Sequence, residues 1–139
     1  MRHVRMLVAG AAAAAAVAVA LSCGGSSSSA TTSPSGPCPP GPGPSPNTLF
    51  ITNNRICPTQ TLTVTRGTQI TILNSDSRVH EMDSDPHPEH TDCPELNQIG
   101  FLNPGQSRQS GNLNIARKCG FHDHGNPDND GLKGTITIQ

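Results

Sequence analysis

Apolar and polar residues alternate in several short stretches of this chain. Thr61-Leu62-Thr63-Val64-Thr65 alternates strictly, and Gln69-Ile70-Thr71-Ile72 repeats the pattern after a turn at Arg66-Gly67. Thr135-Ile136-Thr137-Ile138 repeats it again, and Leu49 and Ile51 fit the same period. A period of two puts one face of a strand inward and the other outward, as in antiparallel sheets. No stretch from residue 47 onward keeps a helical period, and Gly and Pro punctuate the region throughout. The pattern predicts an all-β domain over residues 47–139, an antiparallel Greek-key β-sandwich of roughly seven short strands. Its expected core is Leu49, Ile51, Leu62, Val64, Ile70, Ile72, Ile99, Leu102, Leu113, Ile115, Phe121, Ile136 and Ile138. A domain of this size buries only roughly 60–65 % of its unfolded surface, so disulfides or a metal would help hold it.

The start of the chain follows different rules. Arg2, His3 and Arg5 precede an unbroken, mostly alanine apolar run from Met6 to Leu21. A basic start, an apolar stretch and small residues at its end describe a secretion signal over residues 1–22. Ala20-Leu21-Ser22-Cys23 resembles a lipobox with Cys23 as the lipidated residue, whereas Ala18-Val19-Ala20 would suit an ordinary signal peptidase. Gly24-Gly25 and the serines after them look like a tether leaving a membrane surface, which favours lipidation. Either way the expectation is export to the cell envelope or periplasm. Residues 23–46 are rich in Ser, Thr, Gly and Pro and read as a spacer, because they bury too little apolar surface to offset their ordering entropy.

Charge narrows the partners. With Arg2 and Arg5 removed from the nine Lys and Arg, seven face ten Asp and Glu, so the mature chain is mildly acidic. It has no Trp or Tyr and no basic patch, which argues against nucleic acid. Of the six histidines, all but His3 fall between residues 80 and 124. They form two clusters, His80 with His87 and His90, and Cys119-Gly120-Phe121-His122-Asp123-His124. Histidine crowded into two loops of a β scaffold points to metal binding. The plain alternative is a polar, acidic loop that happens to be histidine-rich.

The order of these features resembles the cupredoxins, the plastocyanin–azurin class of small copper proteins. In that family a β-sandwich ends in a Cys-x-x-His loop, a glycine-rich turn and a last strand, and an earlier histidine follows the middle strands. Here Thr61–Thr65 and Gln69–Asn74 correspond to the early strands, and His80 to the early ligand. Cys119-Gly120-Phe121-His122 corresponds to the closing loop, and Gly131–Ile138 to the turn and final strand. The resemblance implies one copper ion held by two imidazoles and a thiolate in a rigid sandwich, electron transfer or copper handling as its role, and a redox or copper-transfer partner protein.

The sequence departs from that pattern in three respects. Leu132 stands where an axial methionine is expected, and Met82 lies in another loop. His87, His90 and His124 supply more nitrogen ligands than a thiolate site uses. With Cys23 lipidated, Cys38, Cys57, Cys93 and Cys119 make an even number, which in an oxidising compartment suggests two disulfides. A Cys93–Cys119 bond would remove the thiolate and leave a site of histidines drawn from His80, His87, His90, His122 and His124. Both versions stay open on sequence, and both use His80 and His122.

Other functions weigh less. Gly120-Phe121-His122-Asp123-His124 is similar to a motif of copper–zinc superoxide dismutases, but no histidine follows it and Asp123 replaces an apolar residue. A metal-free Ig-like adhesion domain on a lipid tether is a further alternative. Ser107 and Ser110 lack a nucleophile's surroundings, so no catalytic residue is expected. Glu81, Asp83, Asp85, Glu89, Asp92 and Glu95 are expected to be solvated or to support the metal site from behind. Asp123, Asp128 and Asp130 hint at calcium without the spacing of a known calcium loop.

Overall fold

The computed structural model describes residues 38–39 and 45–139. The signal segment, Cys23 and most of the spacer lie outside the described residues. Nine strands follow in order: β1 (Thr48–Thr52), β2 (Arg55–Cys57), β3 (Thr61–Val64), β4 (Thr71–Asn74), β5 (His80–Ser84), β6 (Gly100–Leu102), β7 (Ser107–Gln109), β8 (Arg117–Asp123) and β9 (Lys133–Ile138). Two single 3-10 turns, Leu96–Gln98 and Asp130–Leu132, lie between strands.

The strands form two sheets. One has the order β2-β1-β4-β7 and the other β3-β9-β8-β5-β6. Side chains from both meet in one core, with Leu49, Ile51, Ile56 and Ile72 on one side and Val64, Met82, Leu102, Phe121, Ile136 and Ile138 on the other. This is the all-β sandwich that the alternation predicts. Pairing is mixed rather than wholly antiparallel, because β1 runs parallel to β4 and β3 parallel to β9. Both parallel pairs join strands that are distant in sequence, which alternation alone cannot reveal.

The core differs from expectation at particular places. The strand expected over Gln69–Ile72 begins at Thr71 and runs to Asn74, with Ile70 buried just before it. Ile115 is 56 % exposed, in the connection before β8, while Leu62 is only partly buried against the core. Phe50, Ile56, Met82, Leu96 and Leu132 join the interior. Phe50 is buried because β1 is covered on both faces. It stands opposite Cys57 in the β1–β2 pair, and Cys57 is bonded to Cys38 of the preceding segment. The turn at Arg66-Gly67 forms as predicted, and Gly67 has the positive φ of 84° that favours glycine.

The second disulfide, Cys93–Cys119, joins the long β5–β6 connection to the middle of β8. Both sulfurs are fully buried in the core. Cys119 is therefore not a thiolate, which removes the version of the site that required one. Replacing both Cys93 and Cys119 with Ala should lower unfolding stability by about 2–4 kcal/mol, through the greater freedom of the unfolded chain. Urea denaturation of the full chain would measure this, and an unchanged midpoint would show that the bond contributes nothing.

Candidate metal centre

The site is built on the outer face of the β5–β8 pair. In this register Asp83 stands opposite His122 and Met82 opposite Asp123. Directly opposed residues share a face and successive residues alternate. His80, Met82, Phe121 and Asp123 thus turn into the sandwich, and Glu81, Asp83, His122 and His124 turn outward. The row continues at both ends. The Asp85 amide donates to the Gly120 carbonyl, and the His124 amide donates to the Glu81 carbonyl. Three carboxylates on one strand therefore run beside Gly120, His122 and His124 on the next.

The connection after β5 folds over this row and brings two more imidazoles. Ring centroids of His87, His90, His122 and His124 lie 4.9–5.7 Å apart in the pairs that approach. One nitrogen from each falls within 4.8 Å of the others. The His90 Nε2 to His124 Nδ1 distance is 3.2 Å. The loop is held by specific bonds. The His90 amide donates to the Pro86 carbonyl, and Asn97 Nδ2 donates to the His90 carbonyl at 2.9 Å. Asn97 Oδ1 in turn accepts from the Ser84 amide. His90 has a φ of 54°, a left-handed conformation that costs a non-glycine residue of order 1–2 kcal/mol. The surrounding bonds fix it there, and with it the direction of the ring.

His122 is the innermost of the four. It is 2 % exposed, and its Nδ1 lies 2.6 Å from Asp85 Oδ1. A carboxylate accepting from Nδ1–H leaves a lone pair on Nε2. That Nε2 is buried without a hydrogen-bond partner, in a ring that offers a nitrogen within 4.8 Å of one from each of the other three imidazoles. Such an orphaned acceptor is costly unless something fills its place, and a metal ion does so. Asp85 reaches His122 because residue 120 is glycine: a Cβ there would overlap the Asp85 carboxylate. A carboxylate behind a ligating imidazole is the usual support of a histidine metal site. Asp83 stands behind His90, with Oδ2 4.0 Å from its Nδ1, and lies 3.9 Å from His124 Nδ1, the nitrogen that also faces His90.

His80 does not join this group. It faces the interior, where Nδ1 lies 2.7 Å from Asp123 Oδ2 and Nε2 lies 3.3 Å from Asp76 Oδ2. Both of its nitrogens are occupied by carboxylates, and His122 points to the opposite face. The two histidines expected to share one ion are thus separated by the pleat. Asp123 faces inward beside His80 and takes its Nδ1, and three residues on Asn126 Nδ2 donates to the same carboxylate at 3.1 Å. The x-x spacing of a Cys-x-x-His loop recurs here with an oxygen and an amide in place of the thiolate and imidazole. Leu132 is fully buried in the core and offers no donor. A trigonal thiolate site does not fit these residues, whereas a four-imidazole site fits the orphaned His122 Nε2. Asp130 is exposed and paired with Lys133 while Asp123 is held by His80, so the residues that hinted at calcium do not converge.

Asp76 and Asp123 titrate abnormally. Burial of Asp76 works against its charge, but the Asn54 amide and the His80 ring outweigh it and lower its pKa. Burial of Asp123 is likewise outweighed by bonds from His80, Asn126 and the Glu81 amide, so its pKa is also lowered. Nothing in residue order marked this pair; only the inward register of His80 and Asp123 joins them.

No family model and no curated protein matches the sequence. Solved structures do. A purple cupredoxin from Nitrosopumilus maritimus is 17 % identical with a TM-score of 0.50, over 66 % of this chain and 98 % of that one. Oxidised plastocyanin from Dryopteris crassirhizoma is 18 % identical with a TM-score of 0.52, over 66 % and 99 %. A reduced mutant amicyanin is 16 % identical with a TM-score of 0.51, over 66 % and 80 %. The fold is therefore a cupredoxin-like β-sandwich, carrying a histidine cluster on the outside of one sheet.

The lowered carboxylates give a pH dependence of known sign. A carboxylate whose pKa is lower in the folded state adds stability above its unfolded value of about 3.9 and loses it as pH falls through the folded value. This contribution should hold from neutral pH to about pH 4 and decline on further acidification. Asp76→Asn should flatten that acid limb in urea titrations at several pH values. Parallel acid limbs in the variant and the wild type would rule out Asp76 as a source.

Proposed function

We propose that this protein is an exported, membrane-tethered copper-binding protein that holds one copper ion through His87, His90, His122 and His124. The observation that carries the reading is the buried, unpartnered Nε2 of His122 in a ring that is grouped with three further imidazoles. Imidazole sites take Cu(II) ahead of other first-row divalent ions, which favours copper over zinc or nickel at equal availability. Asp85 orients His122, and Asp83 supplies negative charge beside His90 and His124.

Copper handling is the better role. Without a thiolate the site lacks one of the three ligands that the resemblance implies. The ligands come from a strand and from a partly exposed loop, which suits uptake and release to a partner protein. Electron transfer remains the second reading, because the fold is shared with plastocyanins studied in oxidised and reduced states. An adhesion role leaves the orphaned imidazole nitrogen without a purpose. Dismutation of superoxide is disfavoured by charge: Glu81, Asp83 and Asp85 lie beside the imidazoles and repel an anion.

Copper that binds only the folded state stabilises it by about 2.7 kcal/mol at a hundredfold excess over Kd. His122→Ala and His124→Ala should each lose tight copper binding and the copper-dependent rise in Tm, whereas His80→Ala should keep stoichiometric copper. The copper-loaded wild type should lack the intense visible absorption of a Cu(II)–thiolate bond. Metal analysis and visible spectroscopy of the full chain test this, and stoichiometric copper retained by His122→Ala would overturn it.

The tether has its own test. The full-length protein should fractionate with membranes, and Cys23→Ala should release it into the soluble exported fraction. A wild-type protein already soluble there would exclude the lipid anchor.

A further inference from the structure

Every sulfur among the described residues is kept from the four imidazoles. Cys93 and Cys119 are bonded to each other in the core, and Cys38 is bonded to Cys57 at the edge of the other sheet. Met82 stands on β5 between Glu81 and Asp83, but the pleat turns it into the core, where it is 1 % exposed. The remaining sulfurs, of Met1, Met6 and Cys23, belong to the signal and to the residue expected to carry lipid, outside the described residues. The register that gathers imidazoles on the outer face therefore also withholds the thioether of Met82 from them.

The outer face offers nitrogen and negative charge instead. His87, His90, His122 and His124 each bring one nitrogen within 4.8 Å of the others. His122 Nδ1 donates to Asp85 Oδ1 at 2.6 Å, which strengthens its other nitrogen as a ligand. Asp83 Oδ2 lies 4.0 Å from His90 Nδ1 and 3.9 Å from His124 Nδ1 and adds negative charge beside both rings. Soft thiolate and thioether donors select Cu(I), whereas nitrogen and oxygen donors suit Cu(II). The carboxylates act in the same direction, because nearby negative charge favours the more highly charged ion.

We infer that the four-histidine centre selects the oxidation state of its metal: it holds Cu(II) and releases it on reduction to Cu(I). This rests on the copper-binding reading and adds to it the species selected and the trigger for release. It also separates the two roles, because an electron carrier has to keep its ion in both states. Release needs an external reductant, a thiol or an enediol such as ascorbate. One ascorbate gives up two electrons, so it reduces the Cu(II) of two chains to Cu(I) and leaves dehydroascorbate and a proton. The metal–nitrogen bonds to His87, His90, His122 and His124 then break, and water or protons take the place of the ion on those nitrogens. Cu(I) passes to an acceptor with thiolate or thioether donors, which is the kind of partner this centre fits.

Competition titrations of the full chain give the two dissociation constants separately, in air with a chelator for Cu(II) and without oxygen with a chromogenic chelator for Cu(I). Cu(I) should bind at least about a hundredfold more weakly than Cu(II). At about 59 mV per tenfold, that ratio places the potential of the bound couple about 120 mV or more below that of aqueous copper. Ascorbate should therefore move copper from the loaded protein to the Cu(I) chelator, and without ascorbate the loaded protein should keep its copper against the same chelator. His87→Met puts a thioether into the group at an exposed loop position, away from the core. It should narrow the ratio of the two constants by about tenfold or more. A smaller ratio in the wild type would overturn the inference and leave the four-histidine centre standing, and a ratio that His87→Met leaves unchanged would overturn donor type as its cause. A wild type that takes up no copper in either state would overturn the four-histidine centre itself.

Discussion

The pairing of β5 with β8 governs the rest of the site. Its register sets Asp83 against His122 and Met82 against Asp123, and a shift of one residue would exchange every side chain between the two faces. In the observed register the outer face collects carboxylates and imidazoles, and the inner face collects Met82, Phe121 and the His80–Asp123 pair. The packing of Phe121 and Met82 into the core pins the register, so the hydrophobic interior determines where the polar chemistry appears.

The two faces use histidine in opposite ways. Inside, His80 is closed off by Asp76 and Asp123, and those carboxylates are tied down by the amides of Asn53, Asn54, Glu81 and Gly125. This network joins the β1–β2 turn, the β4–β5 connection and the segment after β8, and it leaves no nitrogen for a metal. Outside, Asp85 occupies one nitrogen of His122 and leaves the other free. Whether a histidine is structural or metal-ready depends on whether carboxylates meet both of its nitrogens or one.

Placing ligands on a loop carries an entropic cost, and the fold reduces it with covalent and hydrogen-bonded anchors. Cys93–Cys119 fastens the far end of the histidine loop to the same strand that carries His122, and Asn97 bridges the His90 carbonyl and the Ser84 amide. The backbone that carries His90 therefore needs little ordering when an ion arrives. The electrostatics act in the same direction, because imidazole ligands leave a divalent charge unbalanced and Asp83 and Asp85 lie beside His90, His122 and His124.

Much was determined by residue order alone. Period-two alternation at Thr61–Thr65 and Thr135–Ile138 marked β3 and β9 and placed Val64, Ile136 and Ile138 in the core, since burial on one face requires that pattern. The crowding of His87, His90, His122 and His124 marked the metal-binding region, and an even cysteine count after Cys23 pointed to paired disulfides. Tertiary structure decided which histidines share a site. His80 and His122 both match a family pattern, but matching shows chain order and not which side of a pleat a residue occupies. That depends on the register with a strand some forty residues away in sequence, fixed by packing across the sandwich. For the same reason Asp123 read as an unsuitable residue between two histidines, when it is the inward-facing partner of a third.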